Sequence, residues 1–458
     1  MRTNKHLVLS INIAALMVLM DLSAINIAMP SIREYFQISV SLVSLILMAS
    51  MLSATGSALI MGKLIENHRA GKVLIIAFSI FGLTSSLSAL SSQLYILIFL
   101  RFLQGFAEAT LYVIGPALIK KYMYQPKQQK HYGFWMTSCG LGISLGPVIG
   151  GLLIKYFAWN AVFLINIPLA ILGIIFSWNL DKSLSFTKKN NTFDFKGALS
   201  SFLFLAFLIV FFNLFSSYSA KHVLTWIAAL LSLFFLIVFI KIERMAKSPI
   251  IQLQYFKIIN FRLANLGFFL FFFVNVGSRF LRPFFFEGAK ELNSSQSGLL
   301  MMVAPTIMLI ISFLINNFKR YFATKQLIII GNSLLSISML MFSFWTNESS
   351  LSFIIISMLI LGVAMGIYYP TTTQLGMKSL PEGKHGTGSA MISISKSFGK
   401  LSGILIFGLL FQFFYQLLSG NNNIPITLNA KAIQYVFIVA FFISLINTAI
   451  SFRIQNED

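Results

Sequence analysis

Residues 133–151 read GFWMTSCGLGISLGPVIGG and lie inside one long apolar segment. Gly142, Gly146 and Gly150 recur every four residues, a spacing that places them on one face of a helix, one turn apart. A face without side chains lets a second helix approach closely, which is how helices associate in lipid. Pro147 removes a backbone hydrogen bond from the same turn and predicts a bend. The stretch therefore predicts a bent, closely packed membrane helix; an ordinary packed helix is the alternative interpretation.

The composition indicates a membrane protein with many spans. Of the 458 residues, 57% are hydrophobic and only 10% are charged, whereas soluble domains carry about 25% charged residues. The apolar part of the first segment (7–29) is too long for a signal peptide and lacks a small-residue cleavage site, so we expect it to remain as a helix. Cys139 is the single cysteine, which excludes a disulfide within the chain.

No catalytic or cofactor motif stands out. The sequence has no Walker loop, no nucleophile elbow and no histidine spacing typical of a metal site. We therefore expect neither an enzyme, nor a cofactor, nor a bound metal.

Fourteen apolar runs are long enough to cross a bilayer, which takes about 20 residues. They lie at 8–29, 40–62, 73–91, 94–118, 133–154, 160–179, 197–217, 222–241, 263–284, 297–316, 326–345, 352–374, 388–414 and 432–452. Polar stretches divide them into groups of six, two and six, and secondary transporters commonly consist of two six-helix halves. We predict an all-α polytopic membrane protein. Its predicted parts are six-helix halves at 1–180 and 263–458, cytoplasmic linkers at 181–196 and 242–262, and an inserted helix pair at 197–241.

The basic excess follows the predicted topology. The formal net charge is +21, which in a soluble protein would suggest nucleic-acid binding. With the N-terminus inside and the helices alternating, 24 basic residues fall on the inner side and 5 on the outer side. This asymmetry is the positive-inside pattern, and it predicts that both termini are cytoplasmic.

Two acids lie inside predicted membrane helices: Asp21 in the first and Glu108 in the fourth, which also carries Arg101. A charge inside the bilayer is costly, so each is a functional candidate. From the helical rise, Asp21 lies roughly 20 Å from the inner end of its helix and Arg101 roughly 10 Å from the outer end of its own. In a hydrocarbon core about 30 Å thick these depths are similar, so an Asp21–Arg101 pair is feasible. Arg101 and Glu108 share a helix face with Gln104 between them.

These charges suggest proton coupling. Burial raises the pKa of a carboxyl group, a nearby arginine lowers it, and arginine itself stays charged. Movement of substrate or water past the pair would switch the acid between holding and releasing a proton. We interpret Asp21 as the main proton carrier, Arg101 as the residue that tunes it, and Glu108 as a second carrier or cation contact. A structural ion pair and a structural Glu108 are the alternatives.

Basic and aromatic residues also enter the predicted C-terminal helices. Lys396 and Lys400 are one turn apart on one face. They either contact backbone carbonyls or line the substrate path, where they would disfavour purely cationic substrates. We expect Arg279 and Arg282 to snorkel to the outer interface, and the run FFLFFFVN (268–275) to pack or face lipid rather than to line a drug pocket.

Motifs along nearly the whole chain carry a resemblance to a known family. The matching positions are Asp21, Asn26, Ala28 and Pro30; Leu97, Arg101, Gln104 and Gly105; Gly133, Gly142, Gly146, Pro147, Gly150 and Gly151; and Trp159, Phe163, Asn166 and Pro168. FDFKG (193–197), ILGVAMGIYYP (360–370) and HGTGSA (385–390) are similar to later signatures. The chain thus resembles the 14-helix drug:proton antiporters of the major facilitator superfamily, which include quaternary-ammonium and tetracycline exporters of Gram-positive bacteria. The glycine set is what is called their antiporter motif.

The largest departure from the family lies in the loop at 62–74. There the family usually has a glycine, an acid and a basic cluster that latch helix ends together in one state. The corresponding residues here are Gly62, Glu66, Arg69 and Lys72. Glu66 replaces the usual aspartate, and the order of the basic residues is scrambled, so the resemblance puts the strength of the latch in doubt.

The resemblance implies proton-driven export of hydrophobic drugs by alternating access, with Asn26, Gln104, Lys396 and Lys400 in the substrate cavity. The expected partners are drugs, protons and the lipid of a bacterial plasma membrane, without nucleic acid, and the expected state is a monomer. Few acids and several bases favour zwitterionic or neutral substrates, such as fluoroquinolone-like or tetracycline-like compounds and dyes, over permanent cations. Sodium is the alternative ion, since an acid can serve either. An exporter of an endogenous solute or lipid, and a non-transporting sensor, are the alternative functions.

Overall fold

Helices account for nearly all of the chain that the structure describes. The computed structural model describes residues 5–66, 68–123, 125–178, 180, 195–218, 222–245, 253–381, 385–419 and 430–455. Its helices are α1 (Lys5–Phe36), α2 (Val40–Glu66), α3 (Ala70–Ala89), α4 (Leu94–Tyr122), α5 (Gln125–Tyr156), α6 (Ala161–Leu164), α7 (Asn166–Trp178), α8 (Phe195–Tyr218), α9 (Val223–Met245), α10 (Ile259–Phe284), α11 (Ser294–Phe318), α12 (Thr324–Ser343), α13 (Leu351–Lys378), α14 (His385–Ser419) and α15 (Ala430–Ser451).

A helix lies at each of the fourteen predicted segments. Within the described residues, thirteen helical spans are long and apolar enough to cross a membrane. The described apolar part of α8, Lys196–Phe211, occupies the place of the seventh predicted segment. The prediction of an all-α polytopic membrane protein is confirmed.

The sixth predicted helix, 160–179, is divided into α6 and α7. The break falls at Ile165, three residues before Pro168. A proline inside a helix lacks the backbone N–H and its ring clashes with the carbonyl four residues earlier, here that of Leu164. The proline therefore accounts for a division that hydropathy alone does not show.

Several helices run past the predicted membrane segments. The clearest case is α5, which begins at Gln125 although its predicted apolar segment begins at 133. The added residues, QPKQQKHY, include Pro126 in the first turn, where a proline is tolerated. Helix length and membrane-crossing length are thus different quantities, and only the second is marked by hydropathy.

The chain forms two compact units, one of Met1–Ile38 with Leu45–Ser248 and the other of Ser39–Ser44 with Pro249–Asp458. In the first unit α1 packs against α5 and α7, and α3 packs against α4 and α7. In the second unit α10 packs against α14 and α15, and α12 packs against α13 and α15. The same pattern of helix pairs thus occurs once in each unit. Helices α8 and α9 pack against each other, with Phe207 stacked on Phe235.

The predicted part boundaries stay predictions. Most of the linker at 181–196, and residues 246–252 of the linker at 242–262, lie outside the described residues.

Candidate functional site

A buried ion pair joins α1 to α4. Nη1 of Arg101 lies 2.8 Å from Oδ2 of Asp21, and the two side chains are 0% and 1% exposed. The same nitrogen donates to Oε1 of Gln104 at 2.8 Å, and Nη2 donates to Oγ of Ser50 on α2 at 3.1 Å. The structure therefore brings Asp21, Arg101 and Gln104 together in the interior of the first unit.

The second carboxylate oxygen of Asp21 is also hydrogen-bonded. Nδ2 of Asn166, at the start of α7, donates to Oδ1 of Asp21 at 2.6 Å and contacts Oγ of Ser85 on α3 at 2.9 Å. Nε2 of Gln104 donates to the same Ser85 oxygen at 3.3 Å. We call these six residues, Asp21, Ser50, Ser85, Arg101, Gln104 and Asn166, the Asp21 network. It ties five helices together through one acid.

The charge balance of the Asp21 network depends on the protonation of its acid. An ionised Asp21 satisfies Arg101, and both of its oxygens accept hydrogen bonds. A proton on Asp21 would leave a buried guanidinium without its counter-charge, which is costly inside a protein. Arg101 Nε and Asn166 Oδ1 have no hydrogen-bond partner within the described part of the chain. The network therefore has one spare donor and one spare acceptor beside a proton-binding group.

The glycine face of α5 packs on the segment of α1 that carries Asp21. A Cβ built on Gly142 would lie 2.6 Å from the Leu16 carbonyl oxygen, and one on Gly146 would lie 2.7 Å from that of Met20. One on Gly150 would lie 3.0 Å from the Ala24 carbonyl oxygen. The hydroxyl of Ser23 donates across the contact to the Gly142 carbonyl at 3.0 Å.

The remaining motif residues of α5 differ in their surroundings. Gly151 and Pro147 are buried, whereas Gly133 is exposed and nothing lies within 4 Å of a Cβ built there. Three glycines thus make the close contact, as their spacing predicts, and Gly133 takes no part in it.

Two further predicted residues are buried in the same unit. Glu108 is 6% exposed and Asn26 is 4% exposed. Neither takes part in the hydrogen bonds of the Asp21 network given above. Their predicted roles, a second proton carrier and a cavity residue, stay predictions.

In the second unit, two half-buried lysines lie over aromatic rings of α10. Nζ of Lys396 lies 4.1 Å from the ring centroid of Phe268, and Nζ of Lys400 lies 5.3 Å from that of Phe272. Lys396 also reaches Oγ1 of Thr373 at 3.5 Å. A cation over an aromatic face is stabilised by the ring quadrupole, so the rings partly offset the cost of holding these charges away from water.

The aromatic rings under the lysines belong to a larger cluster with α13. Phe271 stacks on Tyr368 with centroids 4.2 Å apart, and Phe272 stacks on Tyr369 at 4.9 Å. The hydroxyl of Tyr369 accepts a hydrogen bond of 2.8 Å from Asn275. Phe268 and Phe271 are completely buried, so these members of the aromatic run pack within the protein.

A comparison with protein families gives a match over the whole chain. The family model described as Major Facilitator Superfamily matches residues 11–404 and 268–457. The chain belongs to the major facilitator superfamily. It is therefore a multi-pass transporter of the plasma membrane and not an enzyme.

Relatives of this transporter include a riboflavin transporter, a multidrug efflux pump and an antibiotic resistance protein. The riboflavin transporter RibZ of Clostridioides difficile (strain 630) is 26% identical over 446 residues, which is 96% of each chain. The multidrug efflux pump SdrM of Staphylococcus aureus (strain N315) is 24% identical, over 94% of this chain and 96% of its own. The methylenomycin A resistance protein of Bacillus subtilis (strain 168) is 22% identical, over 86% and 85%.

Solved structures of other transporters show the same fold. A bacterial homologue of the human lysosomal transporter Spinster, in an inward-facing and unoccupied conformation, matches with a TM-score of 0.69 at 14% identity, over 98% of this chain and 96% of that one. A single-residue mutant of the peptide transporter POT, in complex with sulfate, also matches with a TM-score of 0.69, at 13% identity, over 97% and 94%.

The expectation for Arg282 in this transporter was wrong. Its side chain is 2% exposed. Nη2 donates at 3.3 Å both to the Asn275 carbonyl and to the Ser278 hydroxyl, and the guanidinium lies 5.3 Å from the Phe342 ring centroid. Polar partners one and two turns earlier in α10 hold the side chain inside the protein. It therefore does not extend to the outer membrane interface.

The predicted latch of the transporter is described only in part. Arg69 and Lys72 are exposed at the start of α3. The side chains of Gly62 and Glu66 lie outside those that the structure describes. The latch therefore stays a prediction.

Sequence reasoning missed three members of the Asp21 network. Ser50 and Ser85 are serines in apolar helices that contain several other serines, so nothing in the sequence singles them out. Asn166 matched a family motif but carried no predicted role. A polar amide at the start of an apolar helix, next to a proline-induced break, was the available signal.

Proposed function

We propose that this transporter is a proton-coupled exporter of hydrophobic drugs. The observation that carries the proposal is the buried Asp21–Arg101 pair, in which one ionisable acid joins α1 to α4 and, through Asn166, to α7. Similarity to the multidrug efflux pump SdrM and to the methylenomycin A resistance protein supports the choice of cargo.

The mechanism that we propose uses Asp21 as the carrier of the coupled proton. Deprotonated Asp21 holds α1, α4 and α7 together through its two oxygens. Protonation removes the ion pair and weakens both contacts, so the helices gain freedom to move relative to one another. The spare donor on Arg101 and the spare acceptor on Asn166 are groups that water or a substrate dipole would meet. Alternation between these two protonation states would couple proton entry to drug exit.

The direction of transport rests on a proposed topology. Twenty-four basic residues against five favour a cytoplasmic side that holds both termini and the two linkers. We further propose that α8 and α9 are an insertion between the two six-helix halves. Neither helix contributes a residue to the Asp21 network.

Lys396 and Lys400 support a preference for neutral or zwitterionic cargo. They are two cations, one turn apart, over the rings of Phe268 and Phe272. A permanent cation approaching this part of α14 would be repelled, whereas a planar aromatic compound with an anionic group would be attracted.

Export of an endogenous aromatic solute is a second candidate function. Two observations favour it: the relative named as a riboflavin transporter, and the stacked aromatic cluster around Tyr368 and Tyr369. Drugs would then be incidental cargo of the same helices.

The proposal is tested by efflux from cells that express the wild type or Asp21→Asn, with and without a protonophore. Glu34→Gln is the matched control, since Glu34 is an exposed acid on the same helix. We expect the wild type and Glu34→Gln to export norfloxacin or a dye until the protonophore is added, and Asp21→Asn to export neither. If the wild type exports riboflavin but no member of a broad drug panel, the second candidate replaces the first.

A further inference from the structure

A basic groove lies between the N-terminal ends of α1 and α5. It has a volume of about 410 Å³, and its basic lining residues are Lys5, Lys127, Lys130 and His131. No acid lines it. It is separate from the Asp21 network, because α1 is the helix that contributes to both and Asp21 lies twelve residues beyond Leu9 on that helix. Such a concentration of positive charge at helix ends is typical of an anion-binding surface.

His131 is the second feature that points to a ligand. Its side chain is 8% exposed and lines the groove, yet Nδ1 has no hydrogen-bond partner within the described residues. A buried polar atom normally has a partner. The described residues thus leave one nitrogen of this lining imidazole without a partner.

The groove also has an apolar side that continues along an exposed face of α5. Leu9 and Phe134 line it and are 44% and 47% exposed. Along α5 the exposed apolar residues Phe134, Leu141, Leu145 and Leu152 are spaced by seven, four and seven positions, which places them on one helix face. An apolar stripe therefore runs away from the basic groove.

We propose that the groove binds the headgroup of an anionic phospholipid. The lysine ammonium groups would hold the phosphate, while an acyl chain would lie along the stripe that starts at Phe134. Basic pockets between transmembrane helices on the cytoplasmic side are known to take anionic headgroups. The stripe favours a lipid over free phosphate, because free phosphate has no apolar part that could bury this surface.

The ammonium group of Lys130 is already placed at the boundary between the two surfaces. Its Nζ lies 5.6 Å from the centroid of the Phe134 ring. A lysine with its stem along an apolar surface and its charge at the interface is the arrangement by which such residues meet lipid headgroups. Lipid binding at this groove does not depend on the proposed drug export.

The test is native mass spectrometry of the purified full chain, titrated with phosphatidylglycerol or with phosphatidylcholine of the same acyl chains. We expect phosphatidylglycerol to bind more tightly than phosphatidylcholine. Lys127→Gln/Lys130→Gln should weaken phosphatidylglycerol binding about 25-fold, since a lysine near an anionic headgroup contributes about a factor of five. Phe134→Ala should also weaken phosphatidylglycerol binding, although it leaves the charge of the groove unchanged.

Lys120→Gln/Lys121→Gln is the matched control, because both lysines are exposed at the adjoining end of α4 and neither lines the groove. It should bind phosphatidylglycerol within about twofold of the wild type. Equal losses in the two double variants, no loss in the groove variant, or equal binding of phosphatidylcholine would each overturn the proposal. Displacement of the lipid by millimolar inorganic phosphate, with no effect of Phe134→Ala, would show a free-phosphate site instead. Should the groove double variant fail to fold, Lys130→Gln alone provides the same comparison at about fivefold.

Discussion

Asp21 lies within the apolar length of α1 and accepts a hydrogen bond at each carboxylate oxygen, one from Arg101 and one from Asn166. A buried ion pair adds little stability compared with well-packed apolar residues, but removal of one partner leaves an expensive unpaired charge. The pair is thus better explained by a function that needs a titratable acid at this depth than by stability.

The first prediction concerns stability. Asp21→Asn leaves Arg101 buried without a counter-charge and should destabilise the transporter by about 3–5 kcal/mol, whereas Asp21→Asn/Arg101→Met should recover most of that loss. Thermal unfolding in detergent measures both. If the double variant loses as much stability as Asp21→Asn and Arg101→Met lose together, the two residues are not energetically coupled.

The second prediction concerns cargo selection. Lys400→Ala removes a cation from the face of the Phe272 ring, so export of zwitterionic or anionic compounds should fall several-fold relative to export of a cationic dye. Lys431→Ala, which removes an exposed lysine of the same unit, is the control. If Lys400→Ala leaves the export of every compound unchanged relative to the cationic dye, Lys400 does not line the substrate path.

At the scale of helices, the contact between α1 and α5 positions Asp21. Three glycines one turn apart bring the α5 surface within van der Waals contact of the α1 backbone around Met20. The Ser23 hydroxyl, two residues from Asp21, donates to α5 across this contact. The depth and rotation of Asp21 therefore depend on how closely these two helices pack.

The third prediction follows from that contact. Gly146→Val places a branched side chain where even a Cβ would lie 2.7 Å from the Met20 carbonyl oxygen, so it should separate the helices and abolish transport. Gly133→Ala meets nothing within 4 Å and replaces glycine in a helix, so it should leave transport intact and raise stability slightly, by up to about 1 kcal/mol. Transport assays and melting temperatures of the two variants check this. Equal damage from both would mean that the glycine face does not control the site.

Hydropathy predicted the existence and order of the helices well, because the bilayer imposes a length of about 20 apolar residues on each. It did not predict their ends, since α5 continues into the charged sequence QPKQQKHY. It also missed the break before Pro168, which depends on one ring and one carbonyl rather than on an average over a window.

The site was predicted to a similar extent. Asp21 and Arg101 could be paired from their depths alone, because helical rise converts sequence position into depth. Depth alone could not place Ser50, Ser85 and Asn166 in the network, since their contacts depend on how the helices are rotated about their axes. The inward-pointing Arg282 was missed for the same reason: its partners Ser278 and the Asn275 carbonyl are common groups that become significant only when packing excludes water.

For the whole molecule, two units with the same pattern of helix pairs carry different chemistry. The first unit holds a charged, acid-centred network. In the second, the corresponding helices α10 and α13 hold an aromatic cluster overlaid by lysines from α14. From this difference we propose that the first unit couples transport to protons and that the second unit contacts the cargo.

The fourth prediction concerns topology. Cys139 is the single cysteine and is buried, so Cys139→Ser gives a background for cysteine labelling. In that background Leu90→Cys, between α3 and α4 and 80% exposed, should react with a membrane-impermeant maleimide added to intact cells. Arg69→Cys, between α2 and α3, should react only after the cells are opened. The reverse pattern would invert the proposed orientation.

The most direct test of proton coupling uses proteoliposomes that contain the purified transporter, an internal pH-sensitive dye and an imposed pH gradient. We predict that norfloxacin added to the wild type moves protons down the gradient, and that Asp21→Asn moves none although it still binds norfloxacin. Substrate-induced proton movement in Asp21→Asn equal to that of the wild type would contradict the account, and so would wild-type transport driven by a sodium gradient alone.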